Sequence, residues 1–306
     1  MSVRHFLTLN DFRPEELQRI IERAVELKDA HRNGQLTPTL QGRTLAMLFE
    51  KASTRTRVSF EAGMAQLGGH ALFLAPGDTQ LGRGETIEDT ARVISRMVDA
   101  VMIRNHSQAL LERFAEYSRV PVINALTDRF HPCQLMADMQ TWIEARGRIA
   151  GCTAAWVGDG NNMCQSYIHA ARQFGFSLRI ATPPGYEPDA DIVDRGGAAV
   201  RLGNDPAAAV DGVDLVITDT WTSMGGDHER DQRLADFRAF QVNAALMARA
   251  APDALFMHCL PAHRGEEVTD EVIDGPQSLV WEEAENRLHV QKALLEFLIR
   301  PVTERG

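Results

Sequence analysis

The sequence predicts an α/β protein of two domains, each a parallel β-sheet flanked by helices. Short apolar runs of strand length alternate with segments of helical spacing along the whole chain. Such alternation is typical of parallel sheets that helices cover on both faces. At 306 residues the chain is long enough for two domains of ordinary size. Gly147 and Gly151 interrupt the pattern near its middle, and we place the domain boundary there.

Composition and charge exclude several function classes. Apolar residues make up 44% and charged residues 24% of the chain, which is typical of a soluble globular protein. The net charge of -10, with no Lys/Arg-rich stripe, argues against a nucleic-acid partner. No segment has the length of a membrane span and the first residues lack a signal-peptide pattern, so we expect a cytoplasmic protein. The four cysteines form no CxxC pair and are expected to stay reduced.

The first half alternates strand and helix four times. A helix with Pro14 in its first turn and an apolar stripe from Leu17 to Leu27 opens it, and Asn33-Gly34 ends it. Each predicted strand is a short apolar run, and helical apolar spacing predicts the segments between them. The predicted strands are 44–49, 70–74, 100–103 and 121–123, and the predicted helices cover 58–67, 86–98, 110–114 and 133–145.

The second half continues the alternation up to a last helix, which we expect to follow Arg287. Its turn Gly158-Asp159-Gly160-Asn161-Asn162 superficially resembles a dinucleotide turn, but it lacks a further glycine, and no acidic residue ends the next strand. We therefore expect no nicotinamide cofactor, and we interpret Asn161 and Asn162 as hydrogen-bonding residues at a helix start. The predicted strands are 154–157, 177–181, 198–202, 215–218, 255–257 and 279–281.

The segment Ser53-Thr54-Arg55-Thr56-Arg57 lies where the first predicted strand gives way to a helix. A helix N-terminus has free N–H donors, and an arginine fork matches phosphate or carboxylate oxygens. No glycine-rich run precedes Lys51, so a small phosphorylated ligand fits better than a nucleoside triphosphate. Helix capping by the hydroxyls, with solvated arginines, is the alternative that these residues alone leave open.

Further polar residues follow other predicted strands. Arg104 and His131 come after the third and fourth strands, and open α/β sheets bind ligands outside the carboxyl ends of their strands. Asp219, after strand 215–218, suits a cationic amine, although a turn cap would explain it too. The segment from His258 to His263 contains two histidines and a cysteine, but no second cluster at metal spacing accompanies it, so we expect no metal.

These motifs resemble those of the aspartate and ornithine carbamoyltransferases. Phe49 to Arg57 resembles the carbamoyl phosphate motif of this family, and the similarity covers nearly the whole chain. His131-Pro132-Cys133-Gln134, Asp219 to Gly225 and His258 to Pro261 resemble the patterns of its ornithine branch. The resemblance implies transfer of a carbamoyl group from carbamoyl phosphate to L-ornithine, giving L-citrulline and phosphate, within arginine metabolism. Attack by the neutral δ-amine needs neither a metal nor an organic cofactor.

The resemblance also implies roles for individual residues. Arg104, His131, Cys259 and Asp219 would be catalytic, with Cys259 near Asp219 as the candidate proton acceptor. The loop carrying Gln80 would reach into a neighbouring subunit's site, which implies a homotrimer with shared active sites. The implied carbamoyl phosphate ligands are Ser53, Thr54, Arg55, Thr56, Gln80, Arg104, His131, Gln134, Cys259, Leu260 and Arg287, and the implied ornithine ligands are Asn162, Asp219, Ser223 and Met224.

By the same resemblance, residues 1–147 are expected to form a carbamoyl phosphate-binding domain and residues 148–285 an ornithine-binding domain. The C-terminal helix, 286–300, would pack back on the first domain, and the active site would lie in the cleft between the two domains.

Two competing functions remain open. The chain could use aspartate or a modified ornithine as acceptor, although Cys133 and Ser223-Met224-Gly225 argue against it. It could also be a silent binding or regulatory subunit, but the reactive residues are all retained. The sequence fixes neither the metabolic direction nor assembly beyond a trimer.

Overall fold

The computed structural model describes residues 3–75, 84–222 and 230–299. The chain forms two compact units. The first comprises the chain up to Gln140 together with the segment from Glu285 onward, and the second runs from Thr141 to Ala284.

All nine strands of the described residues lie in parallel sheets, one in each unit. The first sheet has the order β2-β1-β3-β4, with β1 (Thr44–Phe49), β2 (His70–Leu74), β3 (Ala100–Arg104) and β4 (Val122–Leu126). The second has the order β7-β6-β5-β8-β9, with β5 (Thr153–Val157), β6 (Ser177–Ala181), β7 (Val200–Gly203), β8 (Leu215–Thr218) and β9 (Leu255–His258). The predicted class of two parallel sheets flanked by helices is confirmed.

Helices separate the strands as the apolar spacing predicts. In the first half they are α1 (Pro14–Arg32), α2 (Thr54–Gln66), α3 (Ile87–Ile94), α4 (Gln108–Tyr117) and α5 (Pro132–Arg146). In the second half they are α6 (Asn162–Phe174), α7 (Ala190–Gly196), α8 (Pro206–Val210), α9 (Arg230–Phe237), α10 (Ala244–Met247), α11 (Asp270–Ile273) and α12 (Val280–Ile299). Short 3-10 turns cover Leu9–Asp11, Gly197–Ala199 and Arg238–Phe240.

Strand register sets which residues meet at the carboxyl edges of the sheets. In the first unit Phe49, the last residue of β1, pairs with Arg104, the last residue of β3. In the second unit Thr218 of β8 pairs with His258 of β9. Because all strands are parallel, the polar segments that follow them leave each sheet at one edge.

The part of α12 from Glu285 onward packs within the first unit. Glu296 accepts hydrogen bonds from Arg23 Nε on α1 at 2.7 Å, and Lys292 Nζ donates to Gln66 Oε1 on α2 at 3.0 Å. Both Glu296 and Lys292 are buried, so these contacts compensate charges that burial would otherwise penalise.

Two expectations about the end of the chain are wrong. The predicted strand 279–281 does not form, because Val280 and Trp281 begin α12. Arg287 therefore lies inside the last helix and does not precede it. Three apolar residues in a row fit a strand or a helix equally well, whereas Glu282 and Glu283 are acidic residues in the first turn, where they favour a helix start.

Among the described residues, every helix is too short or too polar to cross a membrane.

Candidate active site

The turn after β1 begins α2 with a side-chain cap. Ser53 has an extended backbone, and its Oγ accepts the N–H of Thr56 at 3.4 Å. The two arginines of the motif differ in their surroundings. Arg57 is exposed, pairs with Glu61 at 3.0 Å and lies 3.8 Å above the ring of Phe73. Arg55 is partly buried, and within the described ranges its guanidinium makes no ion pair. Arg55 is therefore the arginine of this turn that is left to bind an anion.

Arg104 lies beside this turn because of the strand register. It is the last residue of β3, only 8% exposed, and its carbonyl accepts the N–H of Glu50 at 2.9 Å. The hydrogen bond joins the carboxyl end of β3 to the residue that directly follows β1. The first two cationic side chains predicted from strand ends thus share one sheet edge.

Arg287 connects α12 to the same region. It is buried, and its Nη2 donates to Thr56 Oγ1 at 2.7 Å while its Nη1 donates to Gln134 Oε1 at 2.5 Å. Gln134 in turn donates to Asp138 Oδ1 at 2.9 Å. A buried guanidinium needs such partners, and these fix its position between α2 and α5.

His131 stands just before α5 and is buried. Burial lowers its pKa well below 6.5, and the charges of Arg287, Arg104 and Arg55 lower it further. The imidazole is therefore neutral at pH 7 and carries one N–H, which can donate to a carbonyl oxygen. The same three arginines make this half-site strongly positive, as a phosphorylated ligand requires.

Cys133 is adjacent to His131 but plays a packing role. It is 1% exposed, its Sγ donates to the carbonyl of Asn124 at 3.3 Å, and burial raises its pKa to about 12. A thiol of that pKa is not a nucleophile at neutral pH.

In the second unit, Asp219 and Cys259 directly follow the paired residues of β8 and β9. Cys259 Sγ donates to Asp219 Oδ1 at 3.2 Å, and the N–H of Thr220 donates to the same oxygen at 2.8 Å. Asp219 is buried and Cys259 is partly buried. Asp219 and Cys259 therefore lie in contact, as their predicted proximity requires.

Asn161 supplies a contact that the sequence did not reveal. Its Oδ1 accepts the N–H of Met163 at 2.9 Å and caps α6, as expected at a helix start. Its Nδ2 also donates to Asp219 Oδ2 at 2.8 Å. Asn162, the predicted ligand, is the first residue of α6 and is partly exposed. Both asparagines therefore stand at the edge where Asp219 lies.

Leu260 follows Cys259 in an unusual backbone conformation. Its φ is 57°, the only positive φ of a non-glycine residue in the described part of the chain, and the Leu260-Pro261 peptide is cis. Its N–H donates to His258 Nδ1 at 2.9 Å. Positive φ in a leucine is rare and is found preferentially at functional sites.

Arg233 and Asp159 form a second contact that the sequence did not reveal. Arg233 Nε donates to the carbonyl of Trp221 at 2.5 Å, and its Nη2 donates to Asp159 Oδ2 at 2.5 Å. Burial raises the pKa of Asp159 to about 6, although Arg233 opposes the shift. The pair ties the residues just after Asp219 to the turn before α6. Nothing in the sequence marks it, because the partners are 74 residues apart.

Three predicted site residues, Gln80, Ser223 and Met224, lie outside the described residues.

The comparisons with known proteins also divide the chain in two near residue 145, but they assign residues 285–298 to the second part. The family description "Aspartate/ornithine carbamoyltransferase, carbamoyl-P binding domain" matches residues 4–144, and "Aspartate/ornithine carbamoyltransferase, Asp/Orn binding domain" matches residues 150–298. The chain belongs to the aspartate/ornithine carbamoyltransferase family. The first match contains Arg55, Arg104 and His131. The second contains Asp219 and Cys259, and also Arg287, which belongs to the first unit of the structure.

Individual members of the family are similar over almost their full length. The chain is 64% identical to an ornithine carbamoyltransferase of Methylococcus capsulatus, covering 98% of this chain and 99% of the relative. It is 61% identical to the anabolic ornithine carbamoyltransferase of Pseudomonas aeruginosa, covering 98% of each. Among solved structures, the ornithine carbamoyltransferase of Pyrococcus furiosus superimposes with a TM-score of 0.94, at 50% identity over 97% of each chain.

The lowered pKa of His131 predicts its behaviour on titration. A histidine whose folded pKa lies below 6.5 stays neutral until the pH falls through that lower value. We expect the imidazole signal of His131, assigned by its loss in His131→Gln, to show no titration between pH 8 and about 6 in NMR spectra of histidine-labelled protein. A His131 midpoint near 6.5 would contradict the electrostatic account.

Proposed function

We propose that this protein transfers the carbamoyl group of carbamoyl phosphate to the δ-amine of L-ornithine, giving L-citrulline and phosphate. The observation that carries the proposal is the Asp219–Cys259 contact in the second unit. A buried carboxylate attracts a cationic amino acid and repels an acidic one, which favours ornithine over aspartate as acceptor. Relatives at 64% and 62% identity are named ornithine carbamoyltransferases.

The first half-site would bind carbamoyl phosphate. We assign the phosphate to the Ser53-Thr54-Arg55-Thr56 turn and Arg104, because N–H groups at a helix start and charged forks suit its oxygens. These donors belong to secondary structure that is in place before the ligand arrives. Little reorganisation is therefore needed at the moment of reaction.

The carbamoyl group would be polarised by neutral His131 with Arg104 and Thr56. An imidazole N–H can donate to the carbonyl oxygen as negative charge develops there in the tetrahedral intermediate. Gln134, whose Oε1 accepts from Arg287, would be one acceptor for the carbamoyl NH2. The Leu260 carbonyl would be the other acceptor for that NH2.

The second half-site would bind ornithine through Asn162, Asp219, Ser223 and Met224. The δ-amine resembles lysine, whose free pKa is about 10.4, so it must lose a proton before it attacks. The Cys259–Asp219 pair would accept this proton, and the contact between the two side chains supports that role. The nitrogen lone pair then forms the C–N bond, the C–O bond to phosphate breaks, and phosphate leaves with the bonding electrons. The leaving group is already activated as a mixed anhydride, so we propose no cofactor.

We propose that the enzyme works in the direction of arginine synthesis and in the cytoplasm. Relatives at 61% and 58% identity carry the word "anabolic" in their names. All four cysteines are free, as a reducing compartment would keep them.

We also propose a homotrimer in which Gln80 of one subunit completes the carbamoyl phosphate site of its neighbour. The support is the family resemblance of the loop that carries Gln80. Arg55 and Gln80 of different subunits would then serve one active site.

The two arginines of the α2 turn provide a matched pair of variants. Arg55→Ala should weaken carbamoyl phosphate binding about tenfold to a hundredfold, because a charge-assisted hydrogen bond is worth roughly 1.5–3 kcal/mol. Arg57→Ala should change it by less than about threefold, because Arg57 is engaged with Glu61 at the surface. Isothermal titration with carbamoyl phosphate measures both. Equal losses in the two variants would refute the assignment of Arg55.

The acceptor is tested by assaying ornithine, acetylornithine, putrescine and aspartate side by side with carbamoyl phosphate. We expect kcat/KM for ornithine to exceed the others by at least about a hundredfold, because an acceptor lacking the correct polar groups leaves buried site groups unpaired. Chromatography of the ureido products identifies each reaction. Turnover with another acceptor alone would overturn the ornithine assignment and keep the carbamoyl phosphate half. The absence of turnover with every acceptor would indicate a silent binding subunit.

The shared site is tested by mixing two inactive variants, Gln80→Ala and Arg55→Ala. In randomly mixed trimers about a quarter of the sites combine an intact Arg55 with an intact Gln80 from the neighbour. Activity should therefore recover toward that fraction after dissociation and reassembly. Hybrids verified by mass spectrometry that stay inactive would exclude the shared site.

A further inference from the structure

Glu267 is a carboxylate with no exposure to solvent. It lies in the segment that joins β9 to α11. Its Oε1 accepts the backbone N–H of His263 at 2.5 Å and approaches His258 Nε2 at 3.2 Å. Its Oε2 is buried and has no hydrogen-bond partner among the described residues. One oxygen of a fully buried carboxylate is thus left unsatisfied.

The charge of Glu267 also lacks a permanent counter-charge. Buried charges in proteins are paired or coordinate metal ions. Among the described residues, the basic groups within 4.0 Å of this carboxylate are His258 and His263. His258 Nδ1 accepts the N–H of Leu260, so its proton resides on Nε2 and the ring is neutral. Any positive charge that balances the Glu267 carboxylate must therefore lie near His263.

His263 points its Nδ1 at two carboxylates without bonding to either. The nitrogen lies 3.7 Å from Glu266 Oε2 and 3.9 Å from Glu267 Oε2. None of these three buried atoms has a hydrogen-bond partner within the described ranges. A protonated imidazole would be expected at about 2.7–2.9 Å from a carboxylate, and the observed separations are longer. Arg230 pairs with the other oxygen of Glu266 and so orients the free one.

We propose that His263, Glu266 and Glu267 form a binding site for a divalent transition-metal cation, with Zn²⁺ as the test ion. The three residues offer ligand atoms that lie within 4.8 Å of one another. One imidazole nitrogen and two carboxylate oxygens are a donor set that suits Zn²⁺, at bond lengths of about 2.0–2.2 Å. Because these bonds are short, the three ligand atoms would have to move toward one another by up to roughly 1 Å when the ion binds. Mg²⁺ prefers oxygen donors alone and is not expected to bind here.

The site is separate from the other group of potential ligands in the second unit. Asp219, His258 and Cys259 also lie within 4.8 Å of one another, but Cys259 donates to Asp219 there. A cation on Glu267 would instead neutralise the buried carboxylate that receives His258 Nε2.

The experiment uses the full chain, stripped of metal with a chelator, in a Cys259→Ser background that removes the thiolate. Zn²⁺ affinity is measured by competition with a chromophoric chelator, and we expect one ion per chain. His263→Ala and Glu266→Gln should each weaken Zn²⁺ binding by at least about tenfold. His106→Ala, which removes an exposed histidine of the first unit, is the matched control and should leave the affinity unchanged. An excess of Mg²⁺ should not compete.

Binding is measured without substrates, so its result is independent of the carbamoyl transfer reaction. Melting curves of the metal-free proteins check that each variant folds, and Glu266→Gln is the more conservative variant because glutamine has the shape of glutamate without its charge. Failure of the Cys259→Ser protein to bind micromolar Zn²⁺ would overturn the proposal. Binding that both site variants leave unchanged would overturn it equally.

Discussion

The parallel register of the strands is the constraint on which both half-sites depend. Pairing of Phe49 with Arg104 brings the residue after β1 within hydrogen-bond distance of the end of β3. Pairing of Thr218 with His258 sets the next residues, Asp219 and Cys259, side by side. A slip of one residue in either pair would turn every side chain of the strand to the opposite face. Both β3 and β8 are buried along their whole length, so a slip would force the side chains packed against both faces to repack, and the core thereby opposes it.

Burial and charge act together on the first half-site. Burying Arg287 would be costly alone, and its hydrogen bonds to Thr56 and Gln134 offset that cost. Burial first, and then the positive field of Arg287, Arg104 and Arg55, lower the pKa of His131 and keep it neutral. A bound phosphate would offset the same field, because its negative charge lies among the arginines. The half-site therefore favours an anionic ligand. Neutral His131 would keep one N–H, which could donate to a carbonyl oxygen of that ligand.

Much of this arrangement follows from rules that a sequence makes visible. Short apolar runs predicted the strands, and the rule that ligands bind outside their carboxyl ends singled out Arg104, His131 and Asp219. The errors arise where a residue's role depends on distant partners. Asn161 caps α6 as expected, yet its second contact with Asp219 depends on the order of β5 and β8 in the sheet.

The segment after β9 also owes its structure to contacts that its sequence does not reveal. We expected no metal here because no second cluster at metal spacing accompanies the two histidines and the cysteine, whereas the site proposed above uses the carboxylates of Glu266 and Glu267. Glu266 and Glu267 fold back on His263 through a turn closed by two backbone hydrogen bonds, Gly265 N–H to Val268 and Glu266 N–H to His263. Burial of Glu267 is a tertiary property, and a glutamate pair in a sequence is ordinarily a solvated one.

The Cys259–Asp219 contact bears on which atom finally receives the proton of the amine. The sulfur is the donor in this contact and Asp219 Oδ1 is the acceptor. A thiol that still holds its proton cannot take another from the substrate. In the proposed reaction, transfer from the δ-amine to sulfur would require that the thiol proton move to the carboxylate, so the pair would act as one relay. Asn161 and Thr220 also donate to Asp219 and fix the carboxylate in the position where the proposal needs its terminal acceptor.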